Sequence, residues 1–208
     1  MRWYLLLPLL GCAAADSDGP VDSYDTMRDR LAAENTRFLI SAQSTGDVLG
    51  RRWVHDHWEE MRVPLTIASG DLRVSAKDGA LRLDRLAVNF APITIPDAVF
   101  EQPASLSNAK IGQTAMAQVN PVWGGPDLAN ASFPLNLEIS WSVDVSGGGA
   151  PQPFEVALLA VPVDLEVKGN GDHIDATLAV RVHGTVWSLA QLYELADATL
   201  SLSAATVD

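Results

Sequence analysis

The densest group of side chains able to do chemistry is Trp53-Val54-His55-Asp56-His57-Trp58-Glu59-Glu60. Imidazole and carboxylate are zinc-ligand types, and on a strand His55, His57 and Glu59 would share one face. A metal site needs further donors, and the other two histidines, His173 and His183, lie in distant segments. Two ligands without a third are too few, so the expectation is no metal and no cofactor, with the cluster read as a polar strand end or turn. Gly147-Gly148-Gly149 lacks the following Lys-Ser/Thr and helix of a phosphate loop, and Asp16-Ser17-Asp18-Gly19 lacks the later ligands of a calcium loop. No nucleophile elbow, His-Glu-x-x-His, Cys-x-x-Cys or Gly-x-Gly-x-x-Gly occurs. No catalytic residue is assigned. A carboxylate pair such as Glu59 and Glu60 leaves a hydrolase as the third and weakest reading.

The elements that must position any site are strands. Phe133, Leu135, Leu137, Ile139, Trp141, Val143 and Val145 alternate with Pro134, Asn136, Glu138, Ser140, Ser142 and Asp144. A period of two marks a half-buried strand, and thirteen residues at roughly 3.3 Å each reach about 43 Å, long enough that the sheet must coil or bend. Ile174, Ala176, Leu178, Val180 and Val182 repeat the pattern. Between them, Phe154, Val156 and Leu158 keep one phase while Val161, Val163, Leu165 and Val167 keep the other. The slip near 159–162 contains Pro162, which has no ladder donor. It is read as a β-bulge or edge position, or as two shorter strands meeting at a kink. Turn-rich connections at 147–151 and 168–172 make the three strands consecutive and antiparallel.

Residues 65–90 read as a hairpin about Asp78-Gly79, with Leu72, Val74 and Ala76 on one arm and Leu81, Leu83, Leu86, Val88 and Phe90 on the other. Asp22 is a candidate cap for a helix over 22–40, with Tyr24, Met27, Leu31, Phe38 and Leu39 as its stripe, interrupted by Glu34 and Asn35. Ser188-Leu189-Ala190-Gln191 has the form of a capping box and predicts a short helix to about Ala196. Ala198, Leu200, Leu202 and Ala204 then alternate as a last strand. The fold expected is mainly β (α+β): a long, curved antiparallel sheet or sandwich with one N-terminal and one short C-terminal helix.

The first residues carry a different signal. Arg2 precedes the short apolar run Tyr4-Leu5-Leu6-Leu7-Pro8-Leu9-Leu10, which is too short to span a bilayer and has the layout of an export signal. With Leu9-Leu10-Gly11-Cys12 this stretch resembles the lipobox of bacterial lipoproteins. The resemblance implies cleavage before Cys12 and lipid on its thiol, and the mature domain resembles no recognised family. A lone cysteine among 208 residues has no disulfide partner within the chain. Ala13-Ala14-Ala15 also satisfies the small-residue rule for ordinary cleavage after Ala15, and an uncleaved signal is a third possibility. The organisation expected is a signal over 1–11, lipidated Cys12 with a tether over 12–22, and one β-rich domain over 23–208. Ala13 rather than an acidic residue after Cys12 implies, in that family, passage to the outer membrane on its periplasmic side.

Composition bounds the partners. Fourteen Lys and Arg face 26 Asp and Glu, a net charge of −12, and after Leu86 the only basic side chains are Lys110, Lys168 and Arg181. Such a chain repels nucleic acid as a whole. The membrane, through an acyl anchor, is the implied partner. Two readings of the apolar faces follow. In one, Phe133, Leu137, Trp141, Leu178 and Val180 border a groove for an apolar molecule such as an acyl chain. In the other they belong to the closed core of a structural or protein-binding lipoprotein. An apolar void of about 300 Å³ or more favours the first, a sealed core the second.

Overall fold

The computed structural model describes residues 27–33, 36–95, 104–145, 150–171, 173–190 and 193–207. The lipobox, Cys12, the tether, Asp22 and the glycine run at 147–149 lie outside these residues. In chain order the elements are α1 (Met27–Ala33), β1 (Thr36–Ile40), β2 (Thr45–Val54), β3 (His57–Lys77), β4 (Ala80–Phe90), β5 (Ile93–Ile95) and β6 (Ala104–Gln113). Then come β7 (Ala117–Val119), β8 (Val122–Trp123), β9 (Leu128–Val145), β10 (Gln152–Asn170), β11 (His173–Ala190) and β12 (Tyr193–Thr206). The chain is mainly β, as its alternation predicts.

The sheet closes on itself. Around the ring the order is β3, β2, β12, β11, β10, β9, β6 and β4, and β4 pairs with β3 again. Every pairing is antiparallel. The short strands extend these eight wall positions. β1 and β2 occupy one position between β3 and β12, because Phe38 pairs with Thr206 and Leu72 while Thr45 pairs with Ser201 and Thr66. Ser44 mends the break between them: its Oγ accepts from the Ser203 amide at 2.9 Å and donates to the Ser203 carbonyl at 3.2 Å. A closed barrel needs no edge protection along its wall, which explains how strands as long as β9 and β10 stay single.

Inside and outside are chemically distinct. Phe133, Leu135, Leu137, Ile139, Trp141 and Val143 on β9, and alternate positions from Ile174 to Val182 on β11 and from Ala196 to Ala204 on β12, are all buried. Outward positions carry Arg62 paired with Asp47 and Arg181 paired with Asp164 at 2.7 Å. An apolar interior and charged wall reverse the polarity of a barrel that spans a membrane.

The phase slip in β10 is a bulge: Leu158 pairs with Leu137 but Val161 pairs with Leu135, one residue too many on β10. Ala160 takes φ 53° there, its amide donates to Asn136 Oδ1 at 3.1 Å, and Leu159 points into solvent. The Asp78-Gly79 turn joins β3 to β4 with φ of 52° and 84°, the left-handed pair a two-residue hairpin requires.

Both helix expectations need correction. Among the described residues the N-terminal helix covers Met27–Ala33, and Thr36–Ile40, expected to continue it, is a strand. Phe38 and Ile40 alternate with Arg37 and Leu39, so this segment fills the gap between β3 and β12 and satisfies both ladders, leaving Leu39 exposed rather than in a helical stripe. At the C-terminus, residues 188–190 end β11 and Tyr193 begins β12. Tyr193 pairs with Arg52 and with Ala190, so strand partners on both sides outweigh a local cap.

Candidate functional site

The five residues expected to border a groove all face the barrel interior. Phe133, Val163 and Val180 lie level across β9, β10 and β11, and Leu178 lies beside Leu165 and Leu202. Leu137 and Leu178 are fully buried, and Trp141 is 5% exposed. The structure therefore gathers these side chains but packs most of them against one another. Among the described residues a small, half-open pocket of about 50 Å³ reaches the apolar interior, bordered by Val48, Leu65, Phe90, Lys110, Ile139, Trp141 and Ala198. Of the five, Trp141 alone touches it. The Trp141 ring stacks on Phe154, its direct cross-strand partner, at 6.1 Å between centroids and 17° between planes.

One end of the barrel is plugged by α1. Met27 and Leu31, one helical turn apart, are both buried, while the helix is tied to three hairpin turns. The Met27 amide donates to Asp127 Oδ1 at 3.3 Å, Arg30 donates to the Gly171 carbonyl at 3.3 Å, and Arg28 lies over the Trp123 ring at 5.4 Å. The Trp123 indole in turn donates to the Gly79 carbonyl at 3.3 Å. An open groove of about 640 Å³ runs along this seam, larger than the pocket at Trp141 but lined by both charge signs, through Arg28, Asp29 and Asp78. Its lining mixes charged and apolar side chains rather than a few polar groups in an apolar pocket.

The His-Trp cluster forms the tip of the β2–β3 hairpin. His55 and Asp56, with φ 46° and 64°, are the turn itself, so His55 is not on a strand face with His57. The His57 ring instead lies 3.2 Å from the His55 carbonyl through Nδ1. Among the described residues no three His, Cys, Asp or Glu side chains come together. Trp53 and Trp58 pair across the tip edge to face at 5.3 Å, flanked by Arg52–Glu59 at 2.8 Å and Arg51–Glu60 at 2.9 Å. Glu59 and Glu60 are thus each engaged with an arginine rather than placed as a carboxylate pair facing a substrate.

No family model matches the chain, and no curated relative matches it. Among solved structures the chain is similar to Ail, the attachment invasion locus protein of Yersinia pestis. The two share 7% identity, with 83% of this chain and 99% of that chain covered, at a TM-score of 0.35. A likeness of that size assigns nothing to this chain. Among the described residues no helix is long and apolar enough to cross a membrane.

One set of residues that motif reading passes over is assembled only by strand register. Arg37 on β1 pairs with Arg73 on β3, which pairs with Arg85 on β4. All three outward guanidinium groups approach one carboxylate, Asp71, through Nε at 2.9, 3.6 and 3.5 Å. The sequence signal available was only the bias of cations toward the first 86 residues. On the opposite wall Asp164 is held below the usual carboxylate range, first by the hydrogen bond from Ser132 Oγ at 2.6 Å and then by Arg181.

Proposed function

We propose that this chain is a bacterial lipoprotein of the cell envelope, anchored through acyl chains on Cys12, in which a closed-core barrel serves as a rigid scaffold working through its outer surface. The observation that carries the closed-core reading is that the pocket reaching the apolar interior among the described residues measures only about 50 Å³, against about 300 Å³ at the low end for ligand pockets. The charged outer wall supports an anchor outside the barrel rather than insertion of the strands themselves. Two or three acyl chains contribute roughly 0.8 kcal/mol per buried CH₂, enough for stable attachment. Support for the anchor is the Leu9-Leu10-Gly11-Cys12 sequence, and Ala13 favours the outer membrane, facing the periplasm. Mass spectrometry of the mature chain from a two-membrane host tests this. A lipid-modified N-terminal Cys12 is expected, whereas a chain beginning at Asp16 refutes the anchor.

The ligand reading keeps one observation in its favour, the small and largely apolar pocket against Trp141. Equilibrium titration of the full chain with a fluorescent fatty acid separates the two. The scaffold reading expects no saturable uptake. Stoichiometric uptake abolished in Trp141→Asp would return the apolar-ligand function to first place.

A further inference from the structure

Elsewhere on the described wall, arginines that form ion pairs have one acid each: Arg51 with Glu60, Arg52 with Glu59, Arg62 with Asp47, Arg82 with Asp84 and Arg181 with Asp164. At Asp71 the ratio is three to one. The three arginines are also direct cross-strand neighbours, and like charges placed opposite one another on adjacent strands destabilise a sheet. Asp71 cancels one of the three charges, leaving a local excess of two positive charges on a chain whose net charge is −12.

Among the described residues the positions around the row do not neutralise that excess. Beyond Arg37 the arginine row continues to Val207, whose amide donates to the Arg37 carbonyl; the parallel row of Asp71 holds Leu39 and Ala205 on one side of it and Ala87 and Gly112 on the other, and a Cβ built on Gly112 meets nothing within 4 Å. The nearest further ion pair, Arg82 with Asp84, is itself balanced. Arg37 and Arg85 are more than half exposed and Arg73 more than a third. A guanidinium has five N–H donors in a planar fork, so a single Nε contact to Asp71 leaves donors on each for a second anion. Strands lie about 4.8 Å apart, so three side chains across three strands span about 10 Å, a row rather than a point.

We infer that Arg37, Arg73 and Arg85 form an anion-binding site on the outer wall, suited to a ligand with linked phosphate groups, and that Asp71 is its resident counter-ion, competing with the ligand for the same donors. The site is independent of whether Cys12 carries lipid. It is compatible with the overall acidity, because the excess is local and the Debye length at physiological salt is only about 8 Å. A phosphate group could come from a soluble phosphoester or from a lipid headgroup.

Isothermal titration of the full chain with inorganic pyrophosphate reads the first source. Co-flotation with phosphatidylcholine vesicles, with and without phosphatidylglycerol, reads the second as the anionic-lipid-dependent fraction. Binding to either probe is expected to weaken about tenfold or more in Arg73→Gln, to weaken likewise in the more exposed Arg37→Gln, and to fall as NaCl rises. Arg51→Gln, which removes an arginine that has its own glutamate, should leave it unchanged. Asp71→Asn should tighten binding, because it removes the competing carboxylate while keeping the side-chain shape, whereas a merely structural ion cluster would only lose stability. Binding to pyrophosphate alone assigns a soluble ligand, and Arg73-dependent flotation alone assigns a headgroup; both uphold the site. No binding of either probe by the wild type, equal binding by Arg73→Gln, or unchanged or weaker binding by Asp71→Asn overturns it.

Discussion

Replacing Trp141 with alanine distinguishes a packed core from a ligand pocket through stability alone. Trp141 is 5% exposed, borders the small pocket and stacks on Phe154. Truncating a buried tryptophan in a packed core costs about 3–5 kcal/mol, and the lost ring stack accounts for about 0.5–1.5 kcal/mol of that. The half-open pocket beside it sets an upper bound on what filling can recover: 50 Å³ at about 24 cal/mol per Å³ is about 1.2 kcal/mol. Filling it by Ala198→Val, at a buried strand position on its border, should therefore recover up to about 1 kcal/mol. Urea unfolding followed by circular dichroism gives both values as shifts in midpoint at constant slope. A loss below about 1 kcal/mol in Trp141→Ala would mean that the ring is not packed as core. A loss in Ala198→Val of more than about 1 kcal/mol would mean that the pocket has no room for two methyl groups. Either result refutes the reasoning from packing.

Three further outcomes follow from particular contacts. Leu31→Asp places a charge where a leucine is fully buried beneath α1, and should cost at least about 3 kcal/mol or release the helix, detected as new amide exchange at the β3–β4 and β10–β11 turns. Protection at those turns equal to wild type would show that α1 does not seal the end. Asn136→Ala removes the acceptor for the bulge amide of Ala160 and should cost about 0.5–1.5 kcal/mol in the same urea assay, with the barrel otherwise intact. Carbon-detected NMR titration should place the Asp164 midpoint below its ordinary 3.8, moving up toward it in Ser132→Ala. Because the folded value is lowered, this group's contribution is fully present above the ordinary value and is lost as pH falls through the folded one. An unshifted midpoint would remove the Ser132 hydrogen bond from the account.

Much of the strand content was legible because a period of two is a local property. Phe133 to Val145 must turn alternate side chains to opposite faces whatever the partner strands are, and Asp78-Gly79 supplies its left-handed turn from its own chemistry. The bulge was legible for the same reason: the change of phase across Leu159 and Pro162 is written in residue types. Helix signals misled where their local preference was small. The stripe through Phe38 and Leu39 and the capping box at Ser188 each offer about 1 kcal/mol, less than the ladder bonds and burial available to the same residues as strands.

Tertiary structure alone decided closure, filling and charge placement. Alternation does not say whether a sheet ends at two edges or returns to its start, since that depends on β12 meeting β2 and on Ser44 patching the junction with β1. Nor does it say whether an apolar face encloses space: Leu137 and Leu178 read the same in a core and in a pocket, and only the side chains brought together from different strands show that the pocket among the described residues is as small as about 50 Å³. The arginine row depends on register most of all. Arg37, Arg73 and Arg85 are separated by 36 and 12 residues in sequence, and a one-residue slip of any of the three strands would turn its arginine toward the core side of the wall. Local patterns fix which way a side chain faces, while neighbours across strands are fixed by the burial of every other residue on those strands at once.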